Sequence, residues 1–302
     1  MKISGITRKN VFTGHRGSVY SIAGPAQQNS FITAGGDGII AEWLINGTDE
    51  GVPLANVGKV VYSIAIEPDG KRVFAGQSDG GIHVIDTDQK KELRLLQLHE
   101  GPVFNIKVFK EHDLLISLGG DGTMVVTQLS DLEPLKKLKL SQGKLRNMEI
   151  LNGIAAVGTG EGSVKILSIP EWKVIHEFGD HQPGFSVNAI AFSPDGSKLY
   201  TGSRDAHLNI NDVNEGFKLL QSIPAHNYAI YSILFHPDGS VMATCSRDKT
   251  IKIWDPETME VQTRIDKEQF DGHLNSVNAL YWHPDGKLVS AGDDRAVMLW
   301  EF

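Results

Sequence analysis

Cysteine is almost missing from this chain: Cys245 is the only one in 302 residues. No disulfide can form within it, so nothing calls for an oxidising compartment. Long apolar runs are missing too. None approaches the roughly 18 residues of a membrane span, so no membrane partner is expected. The opening stretch MKISGITRKN lacks the apolar centre of a secretory leader. A basic excess is the third lack. The formal net charge is −8, the wrong sign for displacing counterions from nucleic acid, so no direct nucleic-acid partner is expected. The three lacks together predict a cytoplasmic protein. Hydrophobic residues at 40% and charged residues at 22% are an ordinary globular balance. Glycine is plentiful, at 32 residues, and implies many turns.

The stretch CSRDKTIKIWDPETMEV, residues 245–261, reads as strand, turn, strand, turn and strand. Its polar Arg-Asp-Lys turn is followed, six positions after Asp248, by a lone tryptophan, Trp254. An acidic residue six positions before a strand-closing residue occurs seven times: Asp37/Trp43, Asp79/Ile85, Asp121/Thr127, Glu161/Leu167, Asp205/Asn211, Asp248/Trp254 and Asp294/Trp300. Successive acidic residues are 42, 42, 40, 44, 43 and 46 apart. A unit of about 43 residues is the size of a four-stranded propeller blade.

Each unit repeats one internal order. A turn comes first, often with Gly-His, as in GHRGSVYSI from Gly14 and GHLNSVNAL from Gly272. A short apolar strand follows. Then comes a hairpin turn, which reads Pro-Asp-Gly at Pro68, Pro194, Pro237 and Pro284 and Asn152-Gly153 in the fourth unit. Proline presets φ for such a turn and glycine accepts the positive φ that closes it. A strand of small residues, the acidic turn, the strand ending in Trp or its substitute and a more polar strand complete the unit.

Gly-His, the acidic turn and Trp-Asp in this phase resemble WD40 repeats along the whole chain. The resemblance implies an all-β fold, a single seven-bladed WD40-type β-propeller over residues 1–302. Such a propeller closes by lending the N-terminal strand, about residues 6–13, to the last blade. The chain ends on the third strand of the seventh unit at Trp300-Glu301-Phe302, so that blade needs an outer strand. The resemblance also implies a buried hydrogen-bonded chain of His, Ser/Thr, Asp and Trp in each blade. Three units carry the full set: His15, Thr33, Asp37 and Trp43; His226, Thr244, Asp248 and Trp254; His273, Ser290, Asp294 and Trp300. The third unit has Thr127 in place of Trp. The fifth has Asn211 there, and its leading turn is two residues longer. The second has Val57 and Ala75 at the His and Ser/Thr positions, and the fourth has Ser141, Val157, Glu161 and Leu167. Apolar packing is expected to hold the second and fourth.

Chemistry is sparse. No HExxH or Cys/His cluster is present, so no metal and no cofactor are expected. Five of eleven histidines fall in the structural network, and His236 and His283, ahead of Pro-Asp-Gly turns, are expected at the surface. AGGDGII and LGGDGTM lack the Gly-Lys-Ser/Thr ending of a phosphate loop. Cys245 reads as a small buried hydrophobe.

WD40 proteins commonly bind on the top face, and two positions per repeat are the candidates the resemblance supplies. The residue after the first apolar residue of the inner strand reads Tyr20, Tyr62, Phe104, Arg146, Asn188, Tyr231 and Asn278. The residue before the repeat acid adds Arg204 and Arg247. Tyrosine and arginine dominate binding hot spots. The competing reading is that the aromatics pack between blades and the arginines pair with nearby acids. The expectation is a non-catalytic scaffold or adaptor for a protein or peptide. The alternative is an enzyme, or a reader of a small ligand or modified peptide, with a pocket at the channel mouth.

Overall fold

The computed structural model describes residues 5–25 and 29–302; the first four residues of the opening stretch lie outside it. Among the described residues the strands form seven four-stranded sheets. Six are built from consecutive segments as antiparallel meanders. Their first strands are Val19–Ala23, Val61–Ile66, Val103–Phe109, Leu145–Leu151, Val187–Phe192 and Ile230–Phe235. Their fourth strands are Val52–Asn56, Lys91–Gln97, Pro134–Lys139, Val174–Phe178, Lys218–Pro224 and Val261–Ile265. The seventh sheet takes Val277–Trp282, Leu288–Gly292 and Val297–Glu301 from the end of the chain and Thr7–Phe12 from its beginning.

That last pairing is the closure expected from the repeat. Thr7 lies opposite Glu301 and Phe12 opposite Val297, with a bulge at Lys9. Phe12 is wholly buried, and its ring meets Phe31 at 5.2 Å and Trp43 at 5.6 Å. A single buried cluster, including Phe12, Phe31, Trp43, Val289 and Leu299, thus joins the seventh sheet to the first.

The turns follow from local chemistry. Gly70, Gly196, Gly239 and Gly286 close the four Pro-Asp-Gly turns at φ between +73° and +88°. Asn152 and Gly153 both take positive φ, and Leu151 pairs with Ile154 across them, a two-residue hairpin of the kind Asn-Gly favours. The residue after every repeat acid is also left-handed: Gly38, Gly80, Gly122 and Gly162 in four units, but Ala206, Lys249 and Arg295 in the other three.

Burial grades across each sheet. The second strand of the first sheet, SFITAG, is buried throughout, whereas the fourth strand of the second, KELRLLQ, buries one residue of seven. Apolar side chains of neighbouring sheets therefore make the core, and the outer strands face solvent.

The chain divides into two compact units. One runs over Ser141–Val277 and holds the fourth, fifth and sixth sheets. The other joins Gly5–Leu140 to Asn278–Phe302 and holds the first three sheets and the seventh from Asn278 on.

Candidate partner-binding site

The hydrogen-bonded chain behind each acidic turn is built from donors and acceptors that leave one arrangement. In the first sheet the Trp43 indole N–H, a donor only, reaches Thr33 Oγ1 at 2.7 Å. The same hydroxyl lies 2.8 Å from His15 Nε2 and therefore donates to it. His15 Nδ1 then carries the proton and donates to Asp37 at 3.0 Å. Asp37 also accepts the backbone N–H groups of Arg16 and Ile39. The sixth sheet repeats this with Trp254, Thr244, His226 and Asp248 at 2.8, 2.8 and 2.9 Å. In the seventh, Trp300 donates to Ser290 at 2.9 Å, and His273 is buried. These bonds tie the acidic turn to the strands behind it.

Where a member is missing, the structure substitutes. Thr127 does not reach Ser117, and its buried hydroxyl has no partner, while His99 keeps its bonds to Ser117 and Thr123. Asn211 turns to Asp180 at 2.6 Å and to the Phe217 carbonyl at 2.9 Å. The second and fourth sheets correct the expectation of apolar packing alone. Buried His83, on a third strand, accepts from Gln77 at 2.8 Å and donates to Glu92 at 2.9 Å, a His network with different donors. In the fourth sheet Ser141 Oγ donates to Glu161 at 2.6 Å, and Glu161 takes the Gly143 N–H at 2.7 Å. A serine and the longer glutamate span the gap that His and Asp fill elsewhere. His283 corrects a second expectation: it is buried, its ring held by Asp285 at 2.6 Å. His236 is half-buried against Asp238. Each aspartate of these Pro-Asp-Gly turns folds back onto the histidine before it.

The candidate contact residues share a feature that the sequence alone does not display. In each of the first six sheets the pairing between first and second strands slips by one residue, and the slipped residue is Tyr20, Tyr62, Phe104, Arg146, Asn188 or Tyr231. A β-bulge leaves one residue outside the ladder and re-aims its side chain. The positions picked from the repeat are therefore those the backbone sets apart.

In the unit holding the first three sheets, the bulge residues form a ladder. The rings of Tyr20 and Tyr62 are 5.2 Å apart, and those of Tyr62 and Phe104 are 5.4 Å apart. All three are half-buried. The competing reading is thus right that the aromatics pack together, but they keep part of their surface open. Gly120 helps: a Cβ there would sit 3.2 Å from Phe104 and 3.0 Å from Pro102. Asn278 departs from a display role, since its amide donates to the Val19 carbonyl at 3.1 Å and to Asp293 at 2.8 Å.

The other unit carries a different chemistry. Asn188 is buried: it donates to the Ile230 carbonyl and accepts from Ser186, so it ties sheets together instead of facing solvent. Arg146 Nε donates to the same Asn188 oxygen at 3.4 Å. Tyr231 is half-buried. Arg204 and Arg247 are exposed and do not pair with acids among the described residues. Their guanidinium groups lie over the rings of Phe185 and Tyr228, each 5.8 Å from the centroid. Cys245 is fully buried, and burial pushes its thiol well above the ordinary range. Among the described residues no three His, Cys, Asp or Glu gather as a metal site. None of the described helices is long and apolar enough to cross a membrane.

The family model for "WD domain, G-beta repeat" matches residues 6–43, 54–86, 172–212, 217–255 and 265–301. The chain belongs to the WD40 repeat family. The WD40 propeller domain of Doa1 superposes with a TM-score of 0.87 over 99% of this chain and 97% of that one, at 17% identity. The fold is a seven-bladed WD40 β-propeller. WD repeat-containing protein 1-A of Xenopus laevis is 30% identical over 80% of this chain, which spans 40% of that relative's length. The guanine nucleotide-binding protein subunit beta of Arabidopsis thaliana is 23% identical, with 96% of this chain and 82% of the relative covered. Eukaryotic translation initiation factor 3 subunit I of Xenopus tropicalis is 22% identical, with 95% and 94% covered. The WD40 match skips residues 87–171, the stretch of Thr127, Ser141, Glu161 and Leu167. The second blade, whose network is also rebuilt, is nonetheless matched over residues 54–86.

Proposed function

We propose that the chain, as one propeller domain, is a non-catalytic interaction platform that takes a protein or peptide segment on its bulge residues. The observation that carries this reading is the aromatic ladder of Tyr20, Tyr62 and Phe104. Three large half-open rings at successive bulges are costly to leave in water and offer contact area with two polar handles. The relatives support it by name, since two of those above are subunits of larger assemblies. The repeat aspartates Asp37 and Asp248 hold turns, and Cys245 is sealed in the core. A cytoplasmic location fits the charge and the single buried thiol.

The test is quantitative affinity capture from native lysate. Wild type is compared with Tyr20→Ala/Tyr62→Ala/Phe104→Ala after both are shown to melt alike. A stoichiometric partner lost from the variant is the expected result. Equal recovery of every partner by both proteins overturns the ladder as the contact surface.

A further inference from the structure

We propose that the face formed by Lys144, Arg146 and Arg204 binds an acidic peptide segment, a run of Asp or Glu carboxylates in the partner; this rests on the platform reading above.

The three cations come from three places that the fold brings together within the Ser141–Val277 unit. Lys144 precedes the first strand of the fourth sheet, Arg146 is the bulge residue of that strand, and Arg204 leads the acidic turn of the fifth sheet. Short links hold them near one another. Arg146 Nε meets Asn188 Oδ1 at 3.4 Å, that oxygen accepts from Ser186 Oγ at 2.8 Å, and the Ser186 carbonyl accepts from Arg204 N at 3.0 Å. Lys144 lies along Gly160, where a Cβ would come within 3.3 Å of its side chain.

The neighbouring acids Glu161 and Asp205 are engaged elsewhere. Glu161 is turned onto Ser141 and the Gly143 N–H, and Asp205 onto His181 and the Gln182 N–H. Among the described residues, neither Lys144 nor Arg204 has an ion-pair partner. Burial first, then repulsion from Arg146 and Arg204, holds the Lys144 ammonium below its ordinary range. Like charges held together in this way raise the free energy of the bare protein, and an anion laid across them lowers it. On a chain of net charge −8 the general field repels polyanions, so an acidic ligand must be drawn by this local group.

A run of carboxylates suits the site better than one phosphoryl group. The cations sit on two different sheets, Arg146 is already partly spent on Asn188, and the Arg204 fork is braced over Phe185. Separate carboxylates can meet separate cations, with bidentate pairing at the arginines.

The experiment is fluorescence anisotropy with labelled octaglutamate at low salt, against octaglutamine and a neutral peptide carrying one phosphoserine. Wild type is expected to bind octaglutamate, to ignore octaglutamine, and to lose affinity steeply with added salt. Lys144→Gln/Arg204→Gln, shown to melt like wild type, is expected to bind roughly tenfold more weakly. No binding of octaglutamate, or equal binding by wild type and variant, overturns the inference. Tighter binding of the phosphoserine peptide, with displacement of octaglutamate by millimolar inorganic phosphate, also overturns it in favour of a phosphoryl site. These outcomes stand apart from the lysate capture: a partner lost with the aromatic ladder but kept by Lys144→Gln/Arg204→Gln preserves the platform and removes the acidic segment.

Discussion

Thr33 and Thr244 each accept an indole N–H and donate to an imidazole through one hydroxyl, so removing either partner leaves that buried hydroxyl with one of its bonds unmade. His226→Ala is expected to destabilise by about 1–3 kcal/mol, the cost of unpaired buried groups. An unchanged melting temperature would show that the chain of bonds carries no stability. The same residues set the acid response. Burial holds the imidazoles of His99 and His226 below their ordinary 6.5, so below that pH the unfolded chain takes up protons that the folded chain refuses. Stability then falls as pH falls. Burial opposes ionisation of Asp121 and Asp205, yet N–H groups, neighbouring side chains and the facing histidines outweigh it and hold both at about 2. Their contribution, present above the ordinary 3.8, is lost as pH drops from there through about 2. Calorimetry should show a melting temperature that declines below about pH 6.5 and again below about pH 4. A flat profile down to about pH 5 contradicts the buried neutral histidines. The left-handed residue after the repeat acid gives a third test. Ala206 at φ +69° carries a Cβ where four other units have glycine. Ala206→Gly should stabilise by about 0.5–1 kcal/mol, because relief of left-handed strain exceeds the added freedom of the unfolded chain. A loss measured by denaturant unfolding would refute that.

Among elements, the strand Thr7–Phe12 matters most. It covers the edge of Val297–Glu301 and sends Phe12 into the core shared by the seventh and first sheets. Removing the chain through Phe12 exposes that edge and empties a fully buried aromatic site. The truncated protein is expected to aggregate or to lose its cooperative transition on heating. A soluble truncation that melts as wild type does would show the strand to be dispensable. This element was legible in the sequence because the repeat count left one blade short of a strand and one segment spare. The bulges were not. A one-residue slip in pairing leaves no mark in composition or periodicity, although the repeat position pointed to the residues that occupy it. The replacement networks of the second and fourth blades were equally hidden. Gln77, His83 and Glu92 meet only through strand pairing, and nothing in their order along the chain announces that they touch.

For the whole molecule, the stretch that the family model skips, residues 87–171, covers most of two blades that lack the indole of the network. The third blade lacks an indole partner for Ser117, and the fourth has Val157 and Leu167 where a hydroxyl and an indole stand elsewhere. Hydrogen exchange should therefore run faster in the amides of Thr123–Gln128 and Val164–Ser168 than in those of Ile251–Trp254. Equal protection in the three strands would mean that apolar packing alone sets local stability. Seven repeats in phase, turn chemistry and the spacing of His, Ser/Thr, Asp and Trp sufficed to determine the fold, since each is a local pattern that recurs. The sequence likewise singled out Tyr20, Tyr62, Phe104, Arg146 and Arg204. Only the tertiary structure decided which of the repeat-aligned side chains keep exposed surface and which bond to a neighbouring sheet. Asn188 and Asn278 hold equivalent repeat positions, yet each donates its amide to a carbonyl on the next sheet. Tyr20, Tyr62 and Phe104 meet ring to ring, and Arg146 meets Asn188. Those contacts join residues about 40 apart in the chain, a separation that periodicity can align but only packing can close.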